Sequence, residues 1–316
     1  LDNERDRFSH DSMTNPDGAL TQGARSATAR AQRKANPSVP AVLRELWLSR
    51  DLVVQFFLRD VTIRYVQAMM GFAWALLMPV LIVGAGMIFR VVVATLSGTP
   101  LDVSAIASLA IKALPWAFFS GAISLATQSI IAHAGLIGKI YFPREALPIA
   151  SVLAQGVDLG IGLVALCIAF PFLNVSVTLT ALWAFPVVAM LLLLTIGIAL
   201  LLSCANLFFR DIKYIVQVVL SFGVFATPVF FEPQMLGPKG ARILMALPLS
   251  PFIQGLDMSV IRHVSLLDHV VVESAKGPVD VWAPWMLVYM IVTSVGAFWF
   301  GVRIFRSSSS KFAEMA

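Results

Sequence analysis

Apolar residues dominate six stretches of the chain, at about 71–93, 105–137, 146–170, 178–208, 214–231 and 282–300. An α-helix needs about 20 consecutive apolar residues to cross the hydrocarbon core of a bilayer. The pattern therefore predicts an all-α integral membrane protein with six transmembrane helices. The run at 105–137 is longer than a straight crossing needs, and Pro115 inside it predicts a tilt or a break. Pro171, Phe172, Leu173 and Asn174 predict a tight turn after the third run.

Three polar stretches frame these runs. Residues 1–40 are rich in Ser, Ala, Asn, Arg and Asp, with almost no apolar periodicity, and are expected to be a disordered tail. They lack the apolar core of a secretory signal, so the tail is expected on the cytoplasmic side. In residues 41–58, Val42, Leu43, Leu46, Trp47, Val53, Val54 and Phe57 recur near helical spacing, opposite Arg44, Glu45, Arg50, Asp51 and Gln55. This predicts an amphipathic helix lying in the membrane interface, with an extension of the first span as the alternative. Residues 232–281 are too polar for a full span, yet 243–261 is apolar in patches and broken by Pro248 and Pro251. Short re-entrant or interfacial helices before the last span fit that pattern. One transmembrane domain is thus expected over 41–305, with a short cytoplasmic tail over 306–316.

Charge sets the orientation. Only 13% of residues are charged, against roughly 25% in soluble domains, and 58% are hydrophobic. Six spans in 316 residues leave no room for a separate soluble enzyme domain. Arg59 and Arg64 precede the first run, Lys139 and Arg144 follow the second, Arg210 and Lys213 follow the fourth, and Arg303, Arg306 and Lys311 close the sixth. The loops 96–104 and 171–177 carry no Lys or Arg. The positive-inside rule then puts both termini in the cytoplasm. The long loop mixes four basic and five acidic residues and is less bound by the rule. The net charge of +5 suits a membrane flank and not a nucleic-acid surface. Cys167 and Cys204 lie inside apolar runs, and His10, His133, His263 and His269 form no ligand pair, so neither a disulfide framework nor a metal site is expected.

No G-x-x-x-x-G-K-[ST] loop is present, and Gly135 to Lys139 (GLIGK) is too short to make one. An active transporter built on this chain must therefore draw on an ion gradient or on a separate ATPase. Asp158 is the one clear acid inside a run. It is either an ion or substrate contact or a satisfied polar residue where Gly156 and Gly160 let two helices approach. Gly138 to Pro148 (GKIYFPREALP) combines basic residues, aromatics and prolines, as a docking element for a partner protein would. An ordinary charged loop is the alternative. Arg210 and Asp211 end the fourth run, either as a functional pair or as a snorkelling arginine beside an acid.

Arg59-Asp60, Arg64-Tyr65, Gly71, Trp74 and Pro79 resemble the opening signature of ABC-2 type permeases of polysaccharide export. Lys139, Phe142-Pro143-Arg144 and Pro148 resemble that family's loop after the second span. Asn206, Phe209-Arg210-Asp211 and Thr227-Pro228 resemble its region between the fourth and fifth spans, and Pro248, Ser250-Pro251 and Arg262 its segment before the last. The order agrees from about Leu43 to Phe305, while residues 1–40 have no clear counterpart.

The resemblance implies a bacterial inner-membrane permease exporting O-antigen, capsular polysaccharide or teichoic acid. It would act as a homodimer with two copies of an ATP-binding cassette subunit, which would hold the ATP and Mg. The substrate would be a lipid-linked polysaccharide. On that reading Lys139, Tyr141, Phe142, Pro143, Arg144 and Glu145 couple to the ATPase, with Tyr141 and Phe142 inserted in a cleft on it. Arg59 and Arg64 offer guanidinium forks to a lipid diphosphate. Trp74, Trp116, Phe118, Phe119, Trp183, Phe222, Phe225, Phe230 and Phe231 are candidate plates for the apolar faces of sugars, or else packing and interfacial residues. Two alternatives are an ion-coupled carrier and a membrane-embedded transferase acting on lipid-linked sugar. The second needs clustered acids or histidines, which the sequence does not display.

Overall fold

The structure, a computed structural model, describes residues 44–45, 47–65, 71, 73–97, 103–137, 142–173, 175–274 and 277–308. The tail 1–40, Lys139, Tyr141 and the side chain of Trp74 lie outside the described residues.

Among the described residues, five helices are long and apolar enough to cross a membrane. They are α2 (Ala73–Ser97), α3 (Val103–Ala132), α4 (Ala146–Ala169), α5 (Ala184–Phe208) and the last helix, Trp285–Ser308. Of the five, α3 is the most enclosed and α2 the least. Leu109, Ile111, Leu114, Phe118 and Ile123 of α3 form the centre of the core. Met78, Val80, Leu81 and Ile88 leave one face of α2 apolar and exposed.

A first helix, α1 (Arg50–Tyr65), precedes them. It does not end at 58 as an interface helix would. Its second half runs beside α4, where Asp60 accepts a hydrogen bond from Ser151 Oγ at 3.2 Å and Arg64 reaches Asp158. Asp158 is about 18 Å along α4 from Ala146 at 1.5 Å per residue, so α1 climbs well into the bundle. Polar partners on α4 draw it there, which a pattern of apolar positions alone does not reveal.

The expected fifth span, 214–231, is replaced by a shorter helix, α6 (Ile212–Gly223), continued by a 3-10 turn to Ala226. Its length of about 22 Å falls short of the roughly 30 Å hydrocarbon core. Thr227-Pro228 stops it: Thr227 is extended, as a residue before proline prefers. The chain then enters two helices, α7 (Pro233–Ala246) and α8 (Ser250–Leu256), the second prolonged by a π turn over Asp257–Ile261. The pair is bent by 110° and amounts to one broken span or a re-entrant hairpin. Proline opens each helix, where its missing N–H costs nothing. Gly237, at φ 71°, kinks α7 in a conformation that favours glycine.

Two strands follow that the sequence reading placed in a loop, β1 (Val270–Ser274) and β2 (Gly277–Trp282), paired antiparallel. Trp282 closes β2, fully buried, with its ring against Gly255 and its indole N–H donated to the Leu266 carbonyl at 2.9 Å. The last helix, α9 (Trp285–Ser308), returns along α5. A Cβ at Gly197 would stand 2.3 Å from the Ala297 carbonyl carbon, and one at Gly301 2.4 Å from the Gly197 oxygen. The close backbone approach thus lies here, and not at Gly156 and Gly160: a Cβ at Gly160 would meet nothing within 4 Å.

Charged groups tie the bent pair to the spans. Arg90 on α2 donates to Glu232 Oε1 at 2.7 Å, and Arg262 to Glu232 Oε2 at 3.1 Å and Asp257 Oδ2 at 2.9 Å. Lys112 on α3 stands 3.3 Å from Asp257 Oδ2. Burial would raise the Glu232 carboxyl, but Lys112, Arg262 and Arg90 outweigh it and lower it to about 2.

Candidate functional site

A cleft of about 970 Å³ opens between α2, α3, α4 and the α6 segment. Helix direction orders its lining. On α3, Trp116 and Phe118 come before Ser120 and Ser124; on α6, which runs the opposite way, Gln217 and Ser221 come first, and Phe225, Phe230 and Phe231 follow in the turns after it. Phe89 near the end of α2 joins the aromatic group, and Arg64, Gln155 and Asp158 join the polar one. The cleft is therefore polar toward the end where α3 finishes and α4 begins, and aromatic toward the bent pair.

One cluster builds the polar half. Arg64 Nη1 donates to Asp158 Oδ2 at 2.6 Å and to Gln155 Oε1 at 2.8 Å. Gln155 Nε2 donates to Asp158 Oδ2 at 2.6 Å, and Tyr65 OH donates to the other carboxylate oxygen. Asp158 is thus satisfied within the chain, and its partner Arg64 is held at the cleft wall by a fixed, charged bond.

Aromatic pairs build the other half. Phe225 and Phe230 stand 5.2 Å apart and Phe89 and Phe231 5.0 Å, the second pair edge to face. Trp116 is backed by Phe119 at 6.3 Å. Three glycines make room for these side chains. A Cβ at Gly121 would come within 2.7 Å of the Gln155 amide, one at Gly223 within 2.6 Å of the Trp116 ring, and one at Gly86 within 3.1 Å of Phe230. The resulting wall offers flat apolar plates beside hydroxyls, amides and one guanidinium. Such a surface suits a molecule with apolar C–H faces and polar edges.

The cleft gathers some candidates and leaves others apart. Trp116, Phe118, Phe225, Phe230, Phe231 and Arg64 line it. Phe119 is behind it, Phe222 is exposed on α6 outside the lining, and Trp183 packs on the core elsewhere. Arg59 is also outside, donating to Asp60 at 3.0 Å and contacting His133 Nε2. Arg210 and Asp211 are both exposed, and no ion pair between them occurs among the described residues. Phe89, Gln155, Gln217 and the three glycines were missed by sequence reasoning. Their only signal is helical spacing relative to residues already singled out, such as Gln155 three places before Asp158.

The segment expected to dock a partner is built differently from a projecting knob. Phe142 is buried, 5.5 Å from Phe56 of α1, in a cluster with Leu147, Leu200, Val302 and Phe305. Glu145 is buried as well and accepts from Arg306 Nε at 2.6 Å, while Arg306 Nη2 donates to Glu45 at 2.6 Å. One guanidinium therefore joins the start of the chain's helical part, the segment before α4 and the end of α9. Phe142 and Glu145 are committed inside the chain because apolar and charged partners from α1, α5 and α9 converge there. Pro143 and Arg144 are half-buried. Asn206 is buried too, donating to the Thr127 carbonyl at 2.9 Å and accepting from the Lys213 N–H at 3.2 Å, which fixes the turn between α5 and α6.

No protein-family model matches the chain. It is 27% identical over 205 residues to an O-antigen export system permease protein RfbA of Klebsiella pneumoniae, a match covering 64% of this chain and 77% of that protein. It is 26% identical over 282 residues to the O-antigen export system permease protein RfbA of Myxococcus xanthus, covering 86% of this chain and 98% of that protein. The chain thus combines helices of membrane-spanning length with similarity to O-antigen export permeases over most of their length, in keeping with the polysaccharide-export permeases its motifs resemble.

Proposed function

We propose that this chain is the transmembrane subunit of an ATP-driven exporter that moves a lipid-linked polysaccharide of O-antigen or capsule type across the bacterial inner membrane. Two copies of the chain form the passage and two ATP-binding cassette subunits drive it. The observation that carries this reading is the cleft with a polar half and an aromatic half, in a chain similar to O-antigen export permeases. A sugar chain presents C–H faces to Trp116, Phe225 and Phe231 and hydroxyls to Ser120, Ser124 and Gln217. Aromatic plates hold a sliding chain without fixing one sequence of sugars.

The chain is a transport subunit and not an enzyme on this reading. It carries no phosphate-cradle motif, so ATP and Mg belong to the partner, and both termini are on the cytoplasmic side where that partner resides. The 138–148 segment, with Lys139, Tyr141, Pro143 and Arg144, meets the partner. Phe142 and Glu145 pass the motion inward through Phe56 and Arg306. Arg64, held at the cleft wall by Asp158, is the arginine suited to receive the diphosphate of the lipid carrier, in preference to Arg59.

The test is export of polymer by cells carrying Phe225→Ala with Phe231→Ala, beside Phe185→Ala as a lipid-facing control. The lining pair should lower export about tenfold, the effect of roughly 1.4 kcal/mol on the barrier. The control should leave it unchanged. Equal export by the double variant and the control would refute passage along the cleft.

A further inference from the structure

Two helix faces meet where the bent pair packs on α3. Ser108 and Lys112 lie one turn apart on α3, and Ser250, Gln254 and Asp257 follow one face of α8 and its π turn. The two elements pack on each other, and Lys112, Ser250, Gln254 and Asp257 are fully buried, with Ser108 nearly so. This is a polar seam in a place where apolar residues would pack without cost.

The seam's own groups do not satisfy one another. Lys112 Nζ is 3.3 Å from Asp257 Oδ2 but makes no directed hydrogen bond. Asp257 Oδ1, both ends of the Gln254 amide, Ser108 Oγ and Ser250 Oγ also find no hydrogen-bond partner among the described residues. The set contains donors (the ammonium, the amide nitrogen) and acceptors (the carboxylate and amide oxygens). A metal cation would leave the donors unmet, and an anion would leave the acceptors unmet. Water serves both, and buried polar groups are ordinarily completed by it. The π turn beginning at Asp257 is the kind of helix irregularity found at functional positions.

We propose that the seam between α3 and α8 binds ordered water, and that this hydrated ion pair is the plane along which the bent pair α7–α8 separates from α3. An apolar contact resists separation in proportion to its area, because parting it exposes that area to water. Groups that already hold water keep partners on both sides of the movement, so parting them costs less. Gly237 and the break between Ala246 and Ser250 supply the joints on the moving side.

Two measurements on the full chain in lipid nanodiscs decide the matter. Cryo-electron microscopy at a resolution that shows buried water should reveal solvent density within about 3 Å of Lys112 Nζ and Asp257 Oδ1. A dry seam, in a map that shows buried water elsewhere, overturns the site. Hydrogen–deuterium exchange reads the separation. Lys112→Met with Asp257→Leu removes both charges of the pair together, and Arg262, which also loses Asp257, keeps Glu232 as its partner. Amides of 233–256 should then exchange about tenfold more slowly, the factor that exposing such an apolar pair imposes. Exchange as fast as in the unaltered chain, or faster, overturns the release plane. Both readouts are independent of whether the protein exports a polymer.

Discussion

Asp158 is where the choice between a functional and a structural acid is sharpest. It sits well inside α4, beside Arg64, Tyr65 and Gln155, and each of them donates to it or to its neighbour. A carboxylate with that many donors is held in place, and it holds the guanidinium in turn. Asp158→Ala should therefore be costly: it strands a partly buried guanidinium, an error worth about 3 kcal/mol for pairs of this kind. Arg64→Met with Asp158→Leu should recover most of that stability and still fail to export, since the guanidinium at the cleft wall is gone. Thermal unfolding in detergent together with an export assay checks both halves. A double variant that exports normally would show the pair to be scaffold only.

At the scale of elements, the glycines decide how closely helices approach. Gly301→Ala should push α9 off α5, since its new methyl would meet the Gly197 carbonyl oxygen, which belongs to backbone and cannot turn aside. Overpacking of this kind costs about 1–3 kcal/mol. Gly160→Ala meets open space and should raise helix stability by about 0.5–1 kcal/mol. Unfolding temperatures of the two variants should move in opposite directions, and the same sign in both would contradict the packing described. The sequence alone supported the apolar helices because length and composition suffice to define them. It did not distinguish Gly156 and Gly160 from Gly197 and Gly301, because spacing says which residues share a face and not which helix that face meets. It overran α6, since Phe230 and Phe231 continue the apolar run beyond Pro228 while the backbone has already turned. The strands at 270–282 were legible in principle from Val270-Val271-Val272 and the alternation of Val279 and Val281. Their polar neighbours hid them in a loop. In the cleft, aromatic composition singled out Trp116, Phe225 and Phe230 but could not exclude Phe222, which lies at the end of α6 just before Phe225 and is exposed outside the lining.

The whole molecule reads as a bundle with two unlike ends. At one end a single arginine, Arg306, gathers Glu45 and Glu145 over an apolar cluster that includes Phe142. At the other, the bent pair and the strands rest on α2 and α3 through buried charges. Between them the cleft runs from polar to aromatic and opens on the side where α2 shows its bare apolar face. A second copy placed against that face would close two clefts into one passage, with motion entering at the Arg306 end and release at the bent pair. Energy coupling separates an ATP-driven permease from an ion-driven carrier. The most direct measurement places the chain and the proposed ATP-binding cassette subunit in sealed vesicles whose outer leaflet carries lipid-linked polysaccharide. Polymer protected inside the vesicles is then counted with ATP, without ATP, and with an imposed ion gradient alone. Protected polymer that requires both proteins and ATP is the predicted result; transport driven by the gradient with no ATPase present would contradict it.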